Sequence, residues 1–140
     1  MTNIKTLFGS LVAVVAVGAF AAVQASASSA PIVISYTKTC AGGTCVGTTG
    51  DGDTLRMQVT SLQATGKAAQ LTTTERITGG ISITAELSGD RSPAGFIVLN
   101  GTVTEGPFAG AQIHQRSNLT GAVGNTTSWT GELRLMPASG

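Results

Sequence analysis

The chain is short of most residues that build chemical sites. Among 140 residues there are one histidine, two cysteines, one tryptophan and one tyrosine, and Asp, Glu, Lys and Arg together make up 11%. Each scarcity excludes something. Zinc-type centres need more clustered Cys and His than are present. Stacking platforms for sugars or single-stranded nucleic acid need more aromatics than Tyr36, Phe96, Phe108 and Trp129, the four outside the N-terminal segment. With Lys5 set aside along with that segment, the remaining Lys and Arg equal the seven Asp and Glu. Zero net charge argues against a nucleic-acid binder, whose affinity comes from neutralising phosphates, and against a polyacidic or polybasic tail. No Gly-x-Ser-x-Gly elbow occurs around any serine. The length leaves room for one domain.

The N-terminal segment reads as an address. Lys5 supplies a positive start, and Leu11 to Val23 is an unbroken run of small apolar residues. Val23-Gln24-Ala25 then places small side chains at the positions a signal peptidase reads. A cleaved signal over 1–25 is expected, with cleavage after Ala25 or after Ala27, leaving a single β domain over 26–140. The apolar stretch is at the bottom of the length needed to span a bilayer and has no cationic flank after it, so a retained anchor fits less well. Export to the periplasm or the exterior follows, and export permits disulfides. Cys40 and Cys45 are the only pair, and Gly42-Gly43 between them supplies a turn that brings the sulfurs together. The expected bond is structural, because a redox pair favours closer spacing beside a βα unit.

The rest of the chain is rich in Thr and Gly, residues of strands and turns. Leu55–Thr60, Ile81–Leu87 and Trp129–Leu135 alternate apolar and polar residues, which puts one apolar face on a strand. Ile32–Thr39, Gln70–Thr78 and Ala111–Ser117 read as weaker strands. Phe96-Ile97-Val98-Leu99 is a continuous apolar run, as in a strand covered on both faces. Asn100-Gly101 predicts a two-residue hairpin turn, and Thr78–Ile81 predicts another. Ala64–Lys67, Ser88–Pro93 and the glycine-bracketed Gly106–Gly110 read as longer connections, and Asp51-Gly52-Asp53 as a polar turn rather than a calcium loop, which would need more oxygen ligands. Strands at this spacing predict an all-β, small antiparallel barrel of about eight strands, with a β-sandwich as the alternative.

The stretch from Gly101 to Ala111 resembles a corner of the allene oxide cyclase-like and dirigent-like β-barrels, through Gly106, Phe108, Gly110 and Ala111. That pattern continues with another glycine where Gln112-Ile113-His114 stand here. The resemblance implies a small barrel with an apolar cavity, often oligomeric. It transfers no catalytic residue.

His114 is the one histidine, so any His-dependent mechanism must use it. Alternation puts it with Gln112 and Arg116 on one face, and Ala111, Ile113 and Gln115 on the other. A base there would need Glu105 or Glu132 from across the sheet, and the face reads as solvated. Trp129 reads as core. Asn100, Asn118 and Asn125 begin glycosylation-type sequons, which a Thr-rich chain also forms by chance. The expected function is therefore non-catalytic, a binding or structural role for an exported barrel, with no catalytic, cofactor or metal residues assigned. Partners in this reading are a small apolar ligand or a second copy of the chain, with no nucleic acid and no stable membrane insertion once the signal is gone. The alternatives are a cyclase-like enzyme using a glutamate with His114, and an inhibitor or toxin-like module presenting the Cys40–Cys45 loop or residues 88–95. A cavity lined by Phe96, Val98, Val103 and Trp129 would mark the ligand-binding case.

Overall fold

The computed structural model describes residues 30–137; the signal segment and both cleavage positions lie outside them. Eight antiparallel strands follow one another: β1 (Ile32–Ala41), β2 (Thr44–Thr49), β3 (Thr54–Thr65), β4 (Ala68–Thr78), β5 (Ile83–Ser92), β6 (Phe96–Glu105), β7 (Gln112–Val123) and β8 (Thr126–Met136). Each pairs with its neighbour in sequence, and β1 pairs with β8 from Ile32↔Leu135 to Cys40↔Thr127, which closes the barrel. The barrel is thus an up-and-down meander, and the sandwich alternative is set aside. Short turns favour this order, because each antiparallel neighbour can be reached in two to a few residues.

Alternation decides which side chains go inside. Ile34, Tyr36, Leu55, Met57, Leu71, Ile77, Leu87, Leu99, Ile113, Trp129, Leu133 and Leu135 are buried, while the residues between them on the same strands are largely exposed. Each large apolar side chain taken from water contributes roughly 1.5–3 kcal/mol. The outer wall carries Thr37, Arg56, Gln58, Thr74, Arg76, Glu86 and Arg116, all exposed except the half-buried Thr74.

Three local expectations are corrected. Asn100-Gly101 is not a hairpin turn: β6 runs straight through it, with Asn100 opposite His114 and Gly101 opposite Ile113. Gly101 faces inward, and a Cβ there would overlap the backbone oxygen of Glu86. The glycine lets two strongly coiled strands approach, the use glycine has in tight barrels. Ser88–Pro93 is likewise strand through Ser92, and the turn falls at Pro93–Gly95. Within Phe96–Leu99, only Ile97 and Leu99 point inside; Phe96 and Val98 stay half-buried on the outer wall, with the Arg116 guanidinium 5.1 Å from the Phe96 ring centroid. A cation over that ring face covers apolar surface without a second layer of protein.

The remaining connections fall where turn chemistry puts them. Gly66-Lys67 joins β3 to β4, and residues 79–82 join β4 to β5. Asp53 accepts hydrogen bonds from the backbone N–H groups of Gly80 (2.9 Å) and Ile81 (3.1 Å), tying two loops at one end of the barrel. In the Gly106–Gly110 corner, Phe108 is half-buried against the core.

Cys40 and Cys45 are disulfide-bonded and lie directly opposite each other across the Gly42-Gly43 turn, both glycines having positive φ. The loop closed is short, so replacing both cysteines with serine is expected to cost about 2 kcal/mol, read from urea unfolding. A loss near zero would show that the bond only decorates a hairpin already held by its turn.

Candidate functional site

Two places hold chemistry-bearing side chains, and the barrel wall separates them. The first is His114, on the outer face of β7. Its half-buried ring shares a 2.6 Å hydrogen bond between Nδ1 and the Asn100 Oδ1 of the adjacent strand. Arg134 lies opposite it on β8, and Glu132 lies opposite Arg116. Glu132 is within 3.7 Å of Arg134, an exposed pair of little energetic weight. Glu105 sits at the far end of β6, opposite Thr84. The structure therefore gives His114 an amide as its partner, and neither carboxylate named from the sequence is hydrogen-bonded to it. A shallow groove on this outer wall is lined by His114, Arg116, Asn118, Glu132 and Arg134.

The second place is the centre of the barrel. Lys38 on β1 follows Ile34 and Tyr36 at period two, so it points inside and is 3% exposed. Glu75 on β4 lies between Leu71 and Ile77 in the same phase and is 2% exposed. Gln115 and Ser117 follow Ile113 on β7 and are as deeply buried. Across the interior, Gln115 Nε2 donates to Glu75 Oε2 at 3.0 Å. The Tyr36 hydroxyl donates to the Arg116 backbone oxygen at 3.2 Å and is hydrogen-bonded to Ser117 Oγ. Lys38 Nζ lies 3.7 Å from Met57 Sδ and 5.3 Å from the Tyr36 ring centroid. Thr73 Oγ1, Glu75 Oε1 and Gln115 Oε1 are buried with no hydrogen-bond partner.

Burial sets the electrostatics of this cluster. It holds the Glu75 carboxyl above the usual carboxylate range, against the opposing pull of the Lys38 charge and the Gln115 hydrogen bond. It holds the Lys38 amine below its ordinary value, with Glu75 opposing. The Tyr36 hydroxyl is pushed up to about 12 by the same cause, with the hydrogen bond to Ser117 opposing. A buried ion costs several kcal/mol unless an opposite charge and hydrogen bonds repay it. Lys38 and Glu75 each temper the other's cost, and neither is open to solvent.

None of Lys38, Glu75 and Tyr36 is singled out by motif or spacing. The signal that finds them is phase: in each strand the flanking apolar residues fix the inward face, and a charged residue falls on it. The four residues proposed to line a ligand cavity are not brought together, since Val103 and Trp129 are inside and Phe96 and Val98 outside. The Trp129 indole donates to Thr127 Oγ1 at 2.8 Å, as expected of a core tryptophan with its polar edge satisfied. Asn118 and Asn125 are exposed, as is Asn100. Among the described residues no group of three or more His, Cys, Asp or Glu is placed to hold a metal ion. Comparisons with protein-family models, with curated proteins and with solved structures find no match for this chain.

Proposed function

We propose that this chain is an exported, disulfide-stapled β-barrel with a non-catalytic role in binding or structure, exercised from its outer wall and rim. One observation carries the reading: the groups able to move protons are divided by the barrel wall. Lys38, Glu75 and Tyr36 are at most 3% exposed, so a substrate does not reach them. His114 is outside, fastened to Asn100 rather than to a carboxylate that would make it a stronger base. An apolar guest would meet Lys38, Glu75 and Gln115 at mid-barrel, so the contact surface is placed outside rather than in the lumen. The disulfide fits an oxidising compartment. The wall of Thr, Arg, Gln and Glu is the reverse of the apolar band that a membrane-spanning barrel turns to lipid.

The test is complementation in a host lacking the gene. His114→Ala is expected to fold with a stability loss under about 1 kcal/mol, the value of one exposed hydrogen bond, and to restore the wild-type phenotype fully. A folded His114→Ala protein that fails to restore it would move the cyclase-like enzyme reading to first place.

A further inference from the structure

The β3 strand has 12 residues, and the neighbouring β2 has six. Their pairing ends at Thr44↔Gln58, with one last bond from the Val59 N–H to the Gly43 oxygen. Beyond that point β3 is bonded on one side only, to β4, from Ser61↔Thr72 to Thr65↔Ala68. Thr60, Ser61, Leu62, Gln63, Ala64 and Thr65 are all exposed. In an antiparallel strand every second residue turns its N–H and C=O to the open side, so this stretch is an unpaired template. Natural edges are blunted by charge, proline or a β-bulge. Ser61 to Thr65 carry no charge and no proline, with Arg56 and Lys67 just outside; the register shift between Val59 and Ser61 makes Thr60 a bulge that bounds the free edge at its start. Leu62 stands 55% exposed at the centre.

We propose that this edge pairs with the same edge of a second copy of the chain, antiparallel and centred on Leu62, joining two barrels through one continuous sheet. The segment is complementary to itself. About a two-fold axis at Leu62, Ser61 faces Gln63, with the bulged Thr60 and Ala64 at the ends of the contact, and every residue in it is neutral. Leu62 meets its own counterpart, which buries an apolar side chain that the monomer leaves in water. The slot also has the right length: it runs from the Gly42-Gly43 turn to the Gly66 turn, and the segment that fills it is the segment that bounds it. An isologous contact of this kind closes on itself and stops at two. Two other stretches lack a neighbour on one side, and both are shorter: Thr120–Val123 of β7, interrupted by Gly121, and Ile32–Ile34 of β1, whose pairing with β2 begins at Tyr36; they make poorer templates even though Val123 and Val33 are exposed.

Sedimentation equilibrium of the native protein tests this. The wild-type chain is expected to dimerise reversibly. Leu62→Lys places two ammonium groups face to face and is expected to raise the dimer dissociation constant by more than about tenfold. Leu62→Glu does the same alone. Mixing the two variants is expected to restore the dimer as a one-to-one heterodimer, which only a contact that sets residue 62 against residue 62 produces. Circular dichroism matching the wild type shows that each variant folds, and Leu62→Arg serves if Leu62→Lys does not. A wild-type chain that stays monomeric at its solubility limit overturns the proposal. So does a dimer that survives Leu62→Lys, or one that Val123→Lys abolishes and Leu62→Lys does not. Failure here leaves the non-catalytic role proposed above standing, since that role is read from complementation by His114→Ala.

Discussion

Lys38→Met is expected to lower the stability of the barrel by on the order of 3 kcal/mol at neutral pH, because it removes the charge that offsets the burial of the Glu75 carboxyl. Methionine fills much of the volume of the lysine stem, so the loss is electrostatic rather than a cavity. Glu75 sits 2% exposed with only Gln115 bonded to it, and its other oxygen is already without a partner. The double variant Lys38→Met/Glu75→Gln is expected to recover most of the loss, since glutamine keeps an acceptor for Gln115 and carries no charge. The pH dependence has a definite sign. Burial holds Glu75 above its ordinary 4.5, so its contribution is intact below that value and is lost as pH rises toward the folded one. Removing Lys38 also removes the charge opposing that shift. Urea unfolding should therefore show a gap between Lys38→Met and the double variant that is small near about pH 4 and widens toward about pH 8. Lys38 behaves in the opposite sense: burial holds it below 10.5, so its contribution is present above that value and is lost as pH falls. A gap that does not change with pH would mean that the Glu75 carboxyl of Lys38→Met titrates alike folded and unfolded, and that the pair is not an electrostatic unit.

Gly131→Ala is the second large effect, and here the cause is steric. Gly131 lies on β8 opposite Tyr36 on one side and Ser117 on the other. A Cβ built on it overlaps the backbone oxygen of Arg116 and comes within 2.7 Å of the Tyr36 hydroxyl. That oxygen is the one the Tyr36 hydroxyl donates to. One added methyl group therefore pushes β7 from β8 and breaks a hydrogen bond that spans the barrel closure. The expected cost is about 3 kcal/mol or more, the upper range for overpacking, since backbone rather than a flexible side chain must give way. Gly121→Ala is the control. It sits on β7 with nothing within 4 Å of the added atom, and its stability should stay within about 0.5 kcal/mol of wild type. Equal effects at the two positions would show that strand propensity, not close approach, governs glycine here.

The strands were legible because their signal is local. Leu55-x-Met57, Ile83-x-Ala85-x-Leu87 and Trp129-x-x-x-Leu133-x-Leu135 each carry enough apolar phase to fix one inward face, and the Gly42-Gly43 turn beside two cysteines places their bond. Asn100-Gly101 misled for a definite reason. The same dipeptide that favours a tight turn also supplies a residue without a side chain inside a strand, and only the approach of Glu86 from the next strand tells the two uses apart. Ser88-Gly89 is the same case, with Val98 as the approaching backbone.

The polar centre was half legible. The phase of Ile34 and Tyr36 already directs Lys38 inward, and the phase of Leu71 and Ile77 directs Glu75 inward. That the two fall in one barrel, within electrostatic reach, depends on closure between β1 and β8 and on the stagger of the seven other strand pairings, which no local pattern encodes. The partner of His114 is of the same kind: Asn100 lies 14 residues away and becomes its neighbour through the register of β6 on β7.

By itself, then, the sequence determined the inward face of most strands, the Gly42-Gly43 turn and the disulfide, because each follows from residues within a few positions of one another; the expected count of eight coincides with the structure because splitting Phe96–Glu105 at Asn100-Gly101 offsets the Thr44–Thr49 strand, which no alternation marks. Only the tertiary structure decided which glycines bend strands rather than turn them, which charged residues share the interior, and which strand end is left without a neighbour. Those depend on how far each strand extends past the next, and that is set by pairing between residues distant in the chain.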